Sequence, residues 1–540
     1  MKKQNIGAPT CFFIILFLSS ASFSPSTEMP WARARTGAPN VQSGSDGRML
    51  WNRTYGGPGF EWGSSVQVLG DGGYIIAGTT ESYGTGELDF YLVRTDSEGN
   101  MLWNRTYGGP GFEQCSSVQV TGDGGFIIAG ITDSFGAITD VYLVRTNSEG
   151  NMLWNRTYGG PKTDAASSVQ VTSDGGYIIA GNTRSFGMGG DVFLVKTDSD
   201  GNMLWNRTYG GPNADYGKSV HQTSDLGYII VGDSAEEGTF KYESYLVKTD
   251  SEGRMLWNRT YGGPKNYRGR SVHETSDGSY IICGDVDPLR AIGYTDVYLF
   301  KTDSEGNILW NRTYGGPRAD VGSLALMTGD GGYIIVSSTN SFKTFDDMDV
   351  YLIKTDSEGN ILWNRTYGGS EDEANFGHSV QETGDGGYII AGEMAPPYMD
   401  LDLYLVKVAP CPVPSSITCR ASANTTTLGD SVNVSGKVTP SILHRDITLI
   451  YALPDGTTVT RTVKTDTDSA FRDDYAPDVP GFWEVTASME GDIYYQASTS
   501  EAFAFTVEKP KGGVSLYMYG SLVVVAAVAM LGAWLLLRRR

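Results

Sequence analysis

The chain of 540 residues repeats itself. The phrase Leu-Trp-Asn-Arg-Thr-Tyr-Gly-Gly recurs with its tryptophan at Trp51, Trp103, Trp154, Trp205, Trp257, Trp310 and Trp363, at intervals of 52, 51, 51, 52, 53 and 53 residues. A fixed period of this length marks a repeat architecture, in which one small unit cannot bury its own faces and must stack on its neighbours. The stretch from Arg48 to Val408 obeys it.

Within a repeat, short alternating apolar runs are bounded by Gly, Asp, Asn and Ser, the signature of strands. The third unit reads as four strands, at 168–172, 177–181, 191–197 and 203–209. Ser173-Asp-Gly-Gly176 and Asp198-Ser-Asp-Gly-Asn202 supply the turn residues of two hairpins. Four antiparallel strands repeated seven times bury both faces of each sheet only by stacking around an axis, so the expected fold is all-β, a seven-bladed β-propeller. The first unit supplies only a fourth strand, Met49–Tyr55, and the last lacks one. The N-terminal strand is therefore expected to close the last blade, leaving no orphan edge.

The strand-turn-strand Leu92-Val-Arg-Thr-Asp96-Ser-Glu-Gly99-Asn-Met-Leu-Trp103 resembles the tryptophan-docking repeat of quinoprotein-like propellers. Closer still is the resemblance to repetitive propeller proteins of archaeal and bacterial surfaces, which carry similar Trp-Asn-x-Thr-Tyr-Gly-Gly and Asp-Gly-Gly-Tyr-Ile-Ile-Ala-Gly phrases. It covers about two thirds of the chain and implies a fold rather than an activity. The Asp-to-Trp turn is one residue shorter than the quinoprotein pattern, and eight blades are usual there, so no quinone or other cofactor is expected.

The flanks read differently. Residues 1–24 have the layout of a secretory signal peptide, with Lys2 and Lys3 before the apolar run 12–18. Residues 25–47 and 409–414 read as linkers. About seven short strands in 415–508 favour an Ig-like β-sandwich, resembling Ig-like modules of prokaryotic surface proteins. The uncharged run from Ser515 to Leu537 is long enough to span a bilayer, and Arg538, Arg539 and Arg540 would remain cytoplasmic. This places 25–510 outside the cell.

Sixty-two acidic residues against 41 basic give a net charge of −21, which disfavours nucleic acid as a partner. Cell-envelope polysaccharide or surface proteins are the expected partners, with the membrane reached through 515–537. Of five cysteines, Cys411 and Cys419 are candidates for a disulfide in an oxidising exterior, the alternative being separate thiols.

Comparison of the repeats with one another separates framework from variation. The connections within the two hairpins hardly change. Those from fourth to first strand and from second to third vary greatly, and both emerge at one end of an antiparallel blade, the default binding face. Variation centres on Glu236, Glu237 and Tyr242, on Lys265, Tyr267, Arg268 and Arg270, and on Asp285, Asp287 and Arg290, the expected ligand-contacting sector. Aromatics Tyr83, Tyr216, Phe345 and Tyr398 share that face. An acid precedes every third strand (Asp89, Asp140, Asp191, Glu243, Asp296, Asp349, Asp402), which suits a turn acceptor better than catalysis. No catalytic residue and no metal ligand is assigned. His221 and His273 read as polar channel lining, and Asp198–Asn202 lacks the ligands of a calcium loop.

The favoured function is a non-catalytic ligand-binding, adhesion or envelope-structural module. An extracellular glycosidase or lyase using carboxylates on the variable face is the alternative, and a quinoprotein-like oxidoreductase the second. Each repeat also carries an N-glycosylation sequon, at Asn52, Asn104, Asn155, Asn206, Asn258, Asn311 and Asn364, with others at Asn424 and Asn433. The repeat asparagines are shielded if both faces of their strand pack, and accessible if the strand is outermost.

Overall fold

The computed structural model describes residues 47–510 except 137, 188, 236–240, 289–294, 343–347, 369–373, 396–400, 441 and 443. The signal-peptide, N-terminal linker and membrane-span expectations therefore lie outside the described residues. Among those described there is no helix, and none long and apolar enough to cross a membrane.

The repeats form seven four-stranded antiparallel sheets. Sheet 1 comprises Glu61–Val68, Tyr74–Thr80, Asp89–Thr95 and Met101–Tyr107, from innermost to outermost strand. Sheets 2 and 3 follow the same order from Glu113 and Asp164, and sheet 4 comprises Asp215–Gln222, Tyr228–Ala235, Tyr242–Thr249 and Met255–Tyr261. Sheet 5 comprises Lys265–Glu274, Tyr280–Pro288, Asp296–Thr302 and Ile308–Tyr314, and sheet 6 begins at Asp320. Sheet 7 joins Ala374–Glu382, Tyr388–Ala395 and Asp402–Val408 to Met49–Tyr55. The first strand of the chain thus completes the last sheet.

Apolar layers lie between neighbouring sheets. Ile127, Ala129 and Leu143 of sheet 2 pack on Tyr177, Ile179 and Phe193 of sheet 3. Ile389, Ala391 and Leu405 of sheet 7 pack on Val66, Ile76 and Tyr91 of sheet 1, so the stacking returns to its start. Polar links repeat with the same period. Each outer-strand tyrosine donates to a glycine carbonyl in the next sheet's turn, Tyr55 to Gly99 at 2.7 Å and so on to Tyr314 with Gly359. Tyr367 donates to Gly47, just ahead of the closing strand. The indole of Trp51 covers Gly99, whose φ of +77° needs glycine and whose added Cβ would meet the ring at 2.7 Å.

Every Asp-Gly-Gly-type turn reaches back to a cation on the third strand: Asp71 to Arg94, Asp123 to Arg145, Asp174 to Lys196, Asp225 to Lys248, Asp277 to Lys301, Asp330 to Lys354 and Asp385 to Lys407. The hydroxyl of Thr121, with Arg145, pulls the Asp123 carboxyl down to about 2. Burial acts to raise Asp174, Asp225, Asp277 and Asp385, but the Lys and Thr contacts outweigh it and hold all four below the ordinary carboxylate value. A depressed native pKa contributes stability that is complete above the unfolded value of about 3.9 and lost as pH falls through the native one. The melting-temperature gap between the native chain and Asp123→Asn is therefore expected to be constant from pH 7 to 5 and to close between pH 4 and 2. A gap that persists at pH 2 refutes the assignment.

A second all-β module follows Val408. One sheet joins Ser416–Ile417, Val432–Thr439 and Arg420–Ala421, with Ala470–Tyr475 also paired to Val432–Thr439. The other runs Thr425–Thr427, Phe503–Glu508, Gly481–Met489, Asp446–Ala452 and Thr458–Lys464, with Ser498–Thr499 also paired. Trp483 is fully buried among Tyr475 and Phe505. Cys411 and Cys419 stand as free thiols. Their surroundings differ: the Cys411 sulfur lies against Gly47 beside the repeat sheets, whereas the Cys419 thiol is buried in the module near Ser500.

Candidate functional site

In every repeat sheet the innermost strand carries a β-bulge at one position, between Gly63 and Ser65 in sheet 1 and between Gly217 and Ser219 in sheet 4. A bulge re-aims its extra residue. In sheets 1 and 2 that residue is a serine whose hydroxyl crosses to a backbone carbonyl of the next sheet, Ser64 to Cys115 at 2.9 Å and Ser116 to Ala166 at 3.0 Å. Sheets 3 and 6 have Ser167 and Ser323 there. Sheets 4, 5 and 7 break the series with Lys218, Arg270 and His378. The same three sheets place an acid on the second strand, Asp233, Asp285 and Glu393, where the others have Thr79, Ile131, Asn182 and Ser338.

Sheets 4 and 5 bring these charges together. The Arg270 Nε donates to Asp285 Oδ1 at 2.9 Å, and Arg268 Nη1 lies 3.6 Å from Oδ2 of the same carboxylate. The Arg268 guanidinium covers the Tyr242 ring at 4.9 Å, and the Lys218 ammonium stands 5.7 Å from the Tyr216 ring. Across the sheet junction Gly269 N–H donates to Asp233 Oδ1 at 2.9 Å. Asp233 and Asp285 are buried, while the three cations and both tyrosines are half-buried.

The electrostatics follow from that packing. Asp285 raises the Arg270 pKa further, so its charge is permanent. Burial raises the Asp233 carboxyl against the pull of Arg270 and Lys218, and burial lowers the Lys218 ammonium despite Asp233. Asp285 is committed to orienting two guanidinium groups, each of which has five N–H donors and so retains capacity for a further acceptor. Lys218, Arg268 and Arg270 face Asp233 and Asp285, with Asp287 beside Arg268, so the charges balance in number and what the cluster offers is unused guanidinium N–H donors. Its chemistry is recognition of an anion, with aromatic faces beside it.

Of the sequence-predicted sector, Tyr242, Arg268, Arg270 and Asp285 meet in this cluster. Asp287 lies one step away, its carboxyl raised by burial and bonded to Asn266. Tyr267 packs edge-on against Tyr298 at 5.3 Å, filling the place that Asp215 holds in sheet 4. Lys265 is exposed at the strand's start. Glu236, Glu237 and Arg290, with Phe345 and Tyr398, fall outside the described residues. Lys218 and Asp233 were missed as site residues, although aligning the repeats at the bulge shows Ser, Ser, Ser, Lys, Arg, Ser, His.

The remaining readings resolve locally. The acid before the third strand is a turn acceptor where its bond is described, Thr85 N–H donating to Asp89 at 2.7 Å. His221 and His273 lie edge to face at 5.1 Å, Gln170 approaches His221 at 3.4 Å, and burial with the neighbouring ring pushes His273 down to about 3. No group of three or more potential metal ligands occurs among the described residues. Asp198 accepts from the backbone N–H of Asp200 and Asn202, as a turn-forming aspartate does.

Residues 40–288 match the family model described as outer membrane protein assembly factor BamB. The chain is a repetitive β-propeller-type protein. Among curated proteins, the regulatory protein FlaEY of Caulobacter vibrioides is 26% identical over 213 residues, covering 34% of this chain and 22% of the relative. The chain thus spans about a fifth of that relative's length. Among solved structures, a protein of unknown function from Dyadobacter fermentans is 12% identical, with 67% of this chain and 98% of that one covered and a TM-score of 0.38. An ancestral GH74 enzyme is 11% identical, with 83% and 63% covered and a TM-score of 0.37. These two likenesses are loose.

Proposed function

We propose that the chain is a non-catalytic binding protein of the cell surface. Its signal peptide (1–24) exports a seven-bladed propeller (48–408) and an Ig-like module (415–508), and residues 515–537 hold both at the membrane. The ligand is an acidic polysaccharide of the cell envelope. One observation carries this reading: the repeat symmetry breaks where Lys218, Arg268 and Arg270 converge on Asp233 and Asp285 beside Tyr216 and Tyr242. A sugar carboxylate suits the guanidinium forks, and sugar ring faces suit the tyrosines.

The test is binding of the detergent-solubilised full chain to polygalacturonate, with dextran as the neutral control. Binding to polygalacturonate alone, weakening with salt, is expected. Lys218→Ser leaves Asp285 paired and is expected to weaken binding several-fold. Adding Arg268→Gln and Arg270→Ser is expected to raise the loss beyond about tenfold, at about 1.5–3 kcal/mol for each hydrogen bond to a charged group. Equal binding by the native chain and Lys218→Ser, or equal affinity for dextran, overturns the proposal.

A further inference from the structure

The seven identical Trp-Asn-Arg-Thr-Tyr segments form the outermost strands, and three of their five residues have a structural task in their sheets. The tryptophan packs against an aromatic ring of the next sheet, Trp51 on Tyr74 at 6.1 Å and Trp154 on Tyr177 at 6.0 Å. The arginine covers its own strand's indole, with Arg105 5.3 Å from the Trp103 ring and Arg312 5.5 Å from that of Trp310. The tyrosine ties its sheet to the next through the glycine carbonyl.

The asparagine and threonine have no such shared task. Asn52 donates to the Tyr404 hydroxyl at 3.1 Å, and Asn104 and Asn155 are bonded to Tyr91 and Tyr142. Sheet 3 has Phe193 in that position, which offers no hydroxyl, yet Asn206 is retained. Asn104, Asn155, Asn206 and Asn258 approach methionine sulfur, a weak acceptor, at 3.2, 3.5, 3.4 and 3.1 Å, and sheets 5 and 6 replace that methionine with Ile308 and Ile361 while keeping Asn311 and Asn364. The threonine hydroxyls of these strands make no hydrogen bond among the described residues. Asparagine is disfavoured within strands, so seven identical placements need a reason outside local packing.

All seven asparagines are half-buried or exposed, and the threonine beside each is exposed or, in Thr106, half-buried. Each outer strand pairs on one side only, and all but that of sheet 6, where Leu362 is half-buried, show solvent a leucine two residues before the asparagine, with Leu102, Leu204 and Leu256 58–59% exposed. Unpaired apolar edges invite edge-to-edge association unless something covers them.

We propose that these strands bear N-linked glycans, one per sheet, forming a hydrophilic belt around the rim. The donor is an oligosaccharide carried on a lipid phosphate. The asparagine Nδ2 bonds to the anomeric carbon as the bond from that carbon to the phosphate oxygen breaks. The phosphate leaves with the electron pair, and one amide proton passes to a base of the transferase. The belt rests on the outward placement proposed above, but not on the ligand.

The test is intact-glycopeptide mass spectrometry of the full chain from its own cells, beside a surface protein of those cells already seen to carry N-glycans. Hexose-containing mass increments are expected at all seven, Asn52, Asn104, Asn155, Asn206, Asn258, Asn311 and Asn364. Thr208→Ala should abolish the increment at Asn206 and Thr208→Ser should keep it, a pattern that a merely structural threonine would not produce. Surface biotinylation of the same cells separates the two proposals. A labelled chain with bare asparagines overturns the belt alone, and an unlabelled chain overturns the outward placement and the belt with it.

Discussion

Deleting residues 48–56 from the full chain is expected to abolish cooperative unfolding of the repeat region and to leave an aggregating product. Met49–Tyr55 makes six paired positions with Asp402–Val408. That third strand is built for burial on both sides, with Leu403, Leu405, Val406 and Val408 fully inaccessible. At about 1 kcal/mol net per backbone hydrogen bond, and about 2 kcal/mol each for covering Trp51 and Tyr55, the strand contributes on the order of 10 kcal/mol. A whole domain commonly has about 5–15 kcal/mol. The deletion also removes Trp51 from Gly99 and Tyr55 from its carbonyl, so sheets 7 and 1 separate as well. Calorimetry and light scattering check this. Tyr55→Phe, which removes only the hydroxyl and its 2.7 Å bond, is the mild control, expected to cost about 1–3 kcal/mol. A deleted chain that melts cooperatively within a few degrees of the native one refutes the closure argument.

Periodicity made that closing strand legible: a chain that begins with a lone fourth strand and ends three strands into a unit has an obvious way to complete itself. The same periodicity exposed the hairpins, because turns such as Asp-Ser-Asp-Gly-Asn are nearly identical in every copy. What it hid lies where a strand is irregular. The innermost strand of sheet 3 begins at Asp164, four residues before the alternation at 168–172 becomes visible, because the bulge between Ala166 and Ser168 interrupts the pattern. That bulge also directs Lys218 and Arg270 toward their partners, so a loop-by-loop comparison found Arg268, Arg270 and Asp285 but not Lys218 or Asp233. The state of Cys411 and Cys419 was not legible for a different reason: nearness in sequence does not say whether two thiols meet, and here one lies against the repeat sheets and the other inside the next module.

One ion pair of the repeat occurs in two environments, and its energetics should differ accordingly. Lys196→Met removes the partner of Asp174, which is 57% exposed and can recover hydration, so the expected cost is about 1 kcal/mol. Lys354→Met removes the partner of Asp330, whose side chain is only 3% exposed. The second module makes the difference: Tyr495 donates its hydroxyl to Asp330 at 3.2 Å, the Tyr494 ring lies against Gly329 beside it, and Ile493 covers the turn at Gly386. Removing one member of a buried pair leaves an uncompensated charge, at a cost of about 3–5 kcal/mol. The larger penalty is also expected to shrink when the docking is weakened. In a background carrying Ile493→Asp, which admits water to the joint, Lys354→Met should cost no more than Lys196→Met does. Denaturant titration of the four variants measures both differences. Equal costs for the two lysines in the native background would mean that the module does not shield Asp330 in solution, and the joint between ring and module would then be flexible rather than fixed.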